Sequence, residues 1–262
     1  MNEIQFILSS YCPDIVDIIG EKKKFWKKVR LKYLDRLSLI KNVTLEKKSY
    51  ISRRSFLDNL ISSKNESDES KAFMLDINYR VKNIYREISS KKELLDKLRS
   101  ILEQLILPEI DEPKSYDRVG EIYALDYIIS LENIEILEME YKLENGKRID
   151  CLLLNKGKNK KFLIDFLSIN IDPEKVESSD GLTKLLLNRI LPKYKQKTIN
   201  LKTIDYSFKV LPIIWIEPEL IEKYIGLFKE SRTAINEEIC TLIMFKSVTD
   251  NKYYFTFGQV GG

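Results

Sequence analysis

Residues 134–169 hold three strand-like apolar runs separated by connections too short to form a helix. The first run, 134–143, ends at Glu144-Asn145-Gly146-Lys147, and its Asn-Gly pair is the residue chemistry of a tight hairpin turn. The second, 149–154, ends at a Gly/Lys/Asn turn over 155–160. The third, 161–169, is apolar enough to lie at the centre of a sheet. A chain that reverses twice in so short a space is committed to consecutive hairpins. Two of the runs carry a carboxylate among apolar neighbours, Asp150 and Asp165. Burying a carboxylate is unfavourable unless it is paired or holds a metal, so two acids on adjacent strands point to a divalent-cation site. The structural alternative is an ion pair at a strand end, with Arg148 or Lys161 as the partner.

The flanks extend this unit into a larger sheet. A helix over 119–131 precedes it, and a helix over 181–191 follows, which Pro192 should stop or kink. An apolar strand over 208–216 contains Pro212, which predicts a bulge or an edge position. A helix over 218–230 and strands over 239–247 and 253–259, joined at Asp250-Asn251, complete the order α-β-β-β-α-β-α-β-β. That order reads as a mixed sheet flanked by helices, of α+β or α/β class. The first 107 residues instead look helical. Phe25, Val29, Tyr33, Leu37 and Ile40 recur at helical spacing, and a short helix is expected near 55–62. From Ile77 through Val81, Ile84 and Ile88 to Leu95, Leu98, Leu102 and Leu105 the apolar positions form a heptad-like seam. Ser90 and Glu93 could form a capping box there, so one long helix and two consecutive helices are both open. Pro108 and Pro113 place the domain boundary, giving a helical domain at 1–110 and an α/β domain at 111–262.

Composition removes whole classes of chemistry. The 262 residues include no histidine, which excludes Ser-His-Asp and Cys-His catalysis and every imidazole ligand. Three widely spaced cysteines, Cys12, Cys151 and Cys240, offer no zinc or iron–sulfur spacing and fit a reduced, cytoplasmic setting. No run of about 18 apolar residues exists for a membrane span, and the N-terminus lacks the basic stretch of a signal peptide. An enzyme built from this chain must work with carboxylates, lysines, tyrosines or a hard metal ion.

The helix with Glu121, the hairpin NGKRIDCLLL, the strand KKFLIDFL, and the helix and apolar strand after it together resemble the PD-(D/E)XK nuclease superfamily. The likeness covers roughly 119–216. It implies a restriction-endonuclease-like fold and magnesium- or manganese-dependent hydrolysis of phosphodiester bonds. Ile149-Asp150 would take the "PD" place and Asp165 the "(D/E)" place, with Glu121 as the acid that many members carry on the preceding helix. On that likeness Asp150, Asp165 and Glu121 hold metal. The sequence departs from the pattern at Leu167, where the family carries a catalytic lysine. Lys193 and Lys195, beyond Pro192, are the candidates to supply the amine from the next helix, with Lys142 and Lys161 as weaker ones. Glu140-Tyr141-Lys142 also spells the motif but precedes the hairpin turn, and it reads as a solvent-facing strand pattern. The missing lysine keeps open a second function: a nuclease-like fold without catalysis, serving as a nucleic-acid-binding or protein-interaction subunit.

Charge favours the N-terminal part as the nucleic-acid contact. Residues 1–110 hold 22 Lys and Arg against 16 Asp and Glu, a net of +6, and the rest hold 22 against 24, a net of −2. Lys22, Lys23, Lys24, Trp26, Lys27, Lys28 and Arg30 interleave cations with an aromatic ring, as a backbone-and-stacking surface would. DNA is placed ahead of RNA as the partner. The solvated face of an ordinary helix is the alternative. The heptad-like seam leaves pairing with a second copy or another protein open, beside ordinary packing within a bundle.

Overall fold

The computed structural model describes residues 3–42, 56–64, 67–107, 113–201, 206–216, 220–231, 243–247 and 253–256. It divides into two compact units, one built on the chain up to Asp126 and the other from Tyr127 onward. The division falls within a helix, while of the prolines that mark the boundary in the sequence Pro108 lies in 108–112, outside the described residues, and Pro113 begins that helix.

The first unit is helical: α1 (Glu3–Ser9), α2 (Pro13–Ile19), α3 (Lys23–Asn42), α4 (Phe56–Lys64), α5 (Asp68–Ile88), α6 (Lys92–Ile106) and most of α7 (Pro113–Ile129). Ser67 caps α5 by accepting from the Ser70 N–H. The long periodic stretch is two helices. Lys91 stands at the N-cap of α6 in an extended conformation without a side-chain cap, so the Ser90–Glu93 capping box does not form. The break shifts the seam: Ile77, Val81, Ile84 and Ile88 are buried on α5, and Leu94, Leu98, Ile101, Leu102 and Leu105 on α6. Leu95 is only half-buried. The seam is consumed in the core of a single chain, so it offers no zipper face to a second copy.

A polar network is also buried in this unit. The Arg80 guanidinium, 8% exposed, forks onto Asp76 through Nε and Nη2, both at 3.1 Å, and reaches Asp126 at 2.6 Å. Asn83 donates to the second oxygen of Asp126 at 3.2 Å, and the Tyr123 hydroxyl donates to Asp76. Arg80 also lies 4.3 Å from the centre of the Tyr123 ring. Burial first, and then the Asp76 carboxylate, hold the Tyr123 phenol well above its ordinary value of 10. A folded value above the unfolded one contributes stability below pH 10 that is lost as pH rises toward the folded value. Urea unfolding at pH 8 and pH 11 should therefore show a smaller alkaline loss in Tyr123→Phe than in the wild type; equal losses would remove Tyr123 as a source.

The second unit is a six-stranded sheet in the order β1-β2-β3-β4-β5-β6. Its strands are β1 (Ile134–Lys142), β2 (Arg148–Asn155), β3 (Lys160–Asn170), β4 (Ser207–Ile216), β5 (Ile243–Ser247) and β6 (Tyr253–Thr256). β1, β2 and β3 form the expected antiparallel hairpins. β4 is parallel to β3 and β5, with α8 (Ser179–Thr198) and α9 (Ile221–Ser231) in the two crossovers, and β6 returns antiparallel. The class is mixed α+β. Gly146, with φ +79°, takes the left-handed position in the β1–β2 turn and bears out its Asn-Gly signal. Leu182, Leu186 and Ile190 of α8 pack into one core with Leu163, Ile169, Phe208 and Val210 of the sheet. Among the described residues, no helix is long and apolar enough to cross a membrane.

Pro212 differs from expectation, and Pro192 differs in not ending its helix. Pro212 lies on an interior strand rather than an edge, one residue before the described β4–β5 pairing begins at Ile213. Its missing N–H therefore takes nothing from that pairing. Pro192 does not stop α8, which continues to Thr198. Pro192 and Asn188 are both exposed, so the Asn188 carbonyl deprived of its helical partner faces water.

Candidate active site

The β2–β3 ladder runs from Asn155↔Lys160 to Cys151↔Ile164. Just beyond the end of that ladder stand Asp150 on β2 and Asp165 on β3. There the backbone N–H groups turn to carboxylates. The Asp150 N–H donates to Asp165 Oδ1 at 3.3 Å, and the Phe166 N–H donates to Asp150 Oδ2 at 2.6 Å. Each acid is thus tied to the opposite strand, which fixes the two carboxylates beside each other.

Asp165 is wholly buried and Asp150 half-buried. A buried carboxylate needs counter-charge, and Asp165 receives it from α8. Lys193 Nζ stands 3.0 Å from Oδ2 and Lys197 Nζ 3.2 Å from Oδ1. Lys197 also donates to the Arg148 carbonyl of β2. The Lys193 contact is an ion pair without hydrogen-bond alignment, and Asp165 Oδ2 accepts no hydrogen bond. The β1–β2 turn closes over the helix end: Asn145 Nδ2 donates to the carbonyls of Lys197 and Ile199, at 2.9 and 2.8 Å.

The expected strand-end ion pairs do not form. Arg148 pairs with Glu140 at 3.0 Å, and Lys161 lies over the Tyr206 ring at 5.8 Å. Leu167 packs at the edge of the apolar core beside α8, so the amine at Asp165 arrives from the helix and not from the strand. Of the two lysines named from the sequence, Lys193 reaches Asp165, whereas Lys195 is exposed. Lys197 was missed. Its signal is its place four residues after Lys193, on the same helical face, and it was hidden by the expectation that Pro192 ends the helix. Lys142 is exposed at the end of β1. Glu140, half-buried with φ +54°, is held by Arg148 and is not simply solvent-facing.

Glu121 belongs to the helical unit, where it is buried and accepts from Arg118. Among the described residues, no group of three or more Asp, Glu, Cys or His side chains is arranged to hold a metal. In α3, Trp26 is a core residue: it is 2% exposed and its indole N–H donates to the Gly20 carbonyl at 2.8 Å. Its ring packs edge-on against Phe25 and offers no face to a base. Lys22 is ion-paired with Glu103, while Lys23, Lys24, Lys27, Lys28 and Arg30 are exposed. Comparison with protein-family models, curated proteins and solved structures finds no match.

Proposed function

We propose that the protein is a divalent-metal-dependent nuclease of PD-(D/E)XK type, with Asp150, Asp165 and Lys193 as its reacting core. The observation that carries this reading is the pair of aspartates on adjacent strands, each accepting from the other strand's backbone, with an ammonium 3.0 Å from the buried one. The element order α7-β1-β2-β3-α8-β4, antiparallel through β3 and parallel into β4, supports a restriction-endonuclease-like core.

Asp150 and Asp165 would hold magnesium or manganese. The fit rests on the donors. Both are hard carboxylates tied to each other's strands, and the buried Oδ2 of Asp165 accepts no hydrogen bond. Magnesium commonly takes only one or two carboxylates and completes its shell with water and phosphate oxygens, so a third acid is not required. The bound ion would polarise the phosphate and lower the pKa of its water. The protein's own part follows from charge: the two ammonium groups of α8 beside the acids would add positive charge suited to a phosphodiester. Lys193, partly exposed, is placed to face the scissile phosphate or the attacking water. The exposed cations of α3 would hold the nucleic-acid backbone without reading sequence.

Cleavage of labelled single- and double-stranded DNA and RNA with magnesium or manganese tests the proposal. Wild type should cut at least one substrate, chelator should abolish cutting, and Asp150→Ala should lower the rate by about 100-fold or more. A folded wild type that cuts nothing with either metal would overturn it, leaving a catalytically inactive binding or interaction subunit.

A further inference from the structure

The two lysines at Asp165 are held very differently. Lys197 has three restraints: its ammonium pairs with Asp165 Oδ1 and donates to the Arg148 carbonyl, and its own carbonyl accepts from Asn145. Its side chain is 16% exposed. Lys193 has one restraint, the unaligned ion pair with Oδ2, and its side chain is 25% exposed. The oxygens of Asp165 divide in the same way. Oδ1 already takes the Asp150 N–H and Lys197, while Oδ2 faces only Lys193. Among the described residues Oδ2 is thus the oxygen whose one cationic partner makes no aligned hydrogen bond to it.

We infer that Lys193 is a displaceable occupant of the metal position at Asp165 Oδ2, and that Lys197 is a fixed positioning residue that keeps Asp165 in place. An ammonium and a divalent ion compete for one carboxylate oxygen. With a divalent ion held by Asp165, the Lys193 ammonium would leave Oδ2 for the solvent side, where a substrate phosphate would meet it. Lys193 would then be available for chemistry only in the metal-loaded protein. This inference rests on the metal-dependent reading of the same site.

Manganese binding to the full-length protein, measured by titration calorimetry without nucleic acid, tests it. Lys193→Met removes the competitor and should bind manganese about fivefold tighter than wild type. Lys184→Met, at an exposed position of the same helix, controls for the loss of one positive charge and should stay within about twofold. Lys197→Met should gain less than Lys193→Met, because it also loosens Asp165. Lys193→Met should nonetheless cut more slowly than wild type. Thermal melts confirm folding, and Lys193→Gln replaces Lys193→Met should the latter be unfolded. Unchanged or weaker binding in Lys193→Met, or an equal gain in Lys197→Met, overturns the inference while leaving metal-dependent cleavage standing. Absence of manganese binding in every variant overturns both.

Discussion

Asp165→Asn is expected to destabilise the sheet unit by about 3 kcal/mol and to abolish metal-dependent cleavage. The substitution keeps the volume and removes the charge from a fully buried position. Two ammonium groups, at 3.0 and 3.2 Å, would then face a neutral amide. Breaking a buried ion pair by removing one partner typically costs about 3–5 kcal/mol; the lower end applies because both lysines retain some access to water. The chain provides its own reporter. Trp215 is buried in the sheet and Trp26 in the helical unit, so Trp26→Phe leaves one fluorophore that reads the sheet unit alone. Urea unfolding in that background should show the midpoint fall with Asp165→Asn. Replacing the charges together, with Asp165→Leu, Lys193→Met and Lys197→Met, should recover much of the stability and none of the activity. An unchanged midpoint in Asp165→Asn would mean that the ion triad does not stabilise the fold.

The second large effect belongs to the helical unit. Arg80→Met should lower its stability by about 3–5 kcal/mol, because it leaves two buried carboxylates, Asp76 and Asp126, without their shared cation. Arg80→Lys should recover only part of the loss, since a single ammonium cannot reproduce a fork onto one acid together with a bond to another. Trp26 fluorescence in a Trp215→Phe background measures both variants. A loss under about 1 kcal/mol in Arg80→Met would show that the acids find other partners or take up protons.

Most of the sheet was legible in the sequence because hairpins are local: an Asn-Gly pair and two short turns fix which runs pair and where they reverse. The closeness of Asp150 and Asp165 was expected from their places on adjacent strands. The helical continuation through Pro192 was not legible, since a proline stops a helix or leaves it intact according to whether the freed carbonyl meets water, and exposure is a tertiary property. Lys197 was lost with it. Trp26 was misjudged for a related reason. Its neighbours are cations, but position on a helix is decided by the three- and four-residue spacing that joins it to Val29 and Tyr33, both buried. The Arg80 network was legible only in part: Asp76 and Arg80 are four residues apart on one helix, but Tyr123 and Asp126 lie on a helix far along the chain.

The bonds from Phe166 and Asp150 N–H groups to the two carboxylates bear on how this chain can change over time. Positions 150 and 165 serve as rungs of the sheet where the ladder stops, so a substitution there is screened by folding before any question of catalysis arises. Both aspartates would therefore persist in a descendant whatever chemistry it performs, and their survival says little by itself about activity. Lys193 bonds no backbone group, yet as a counter-charge of the buried Asp165 it too is tied to the fold.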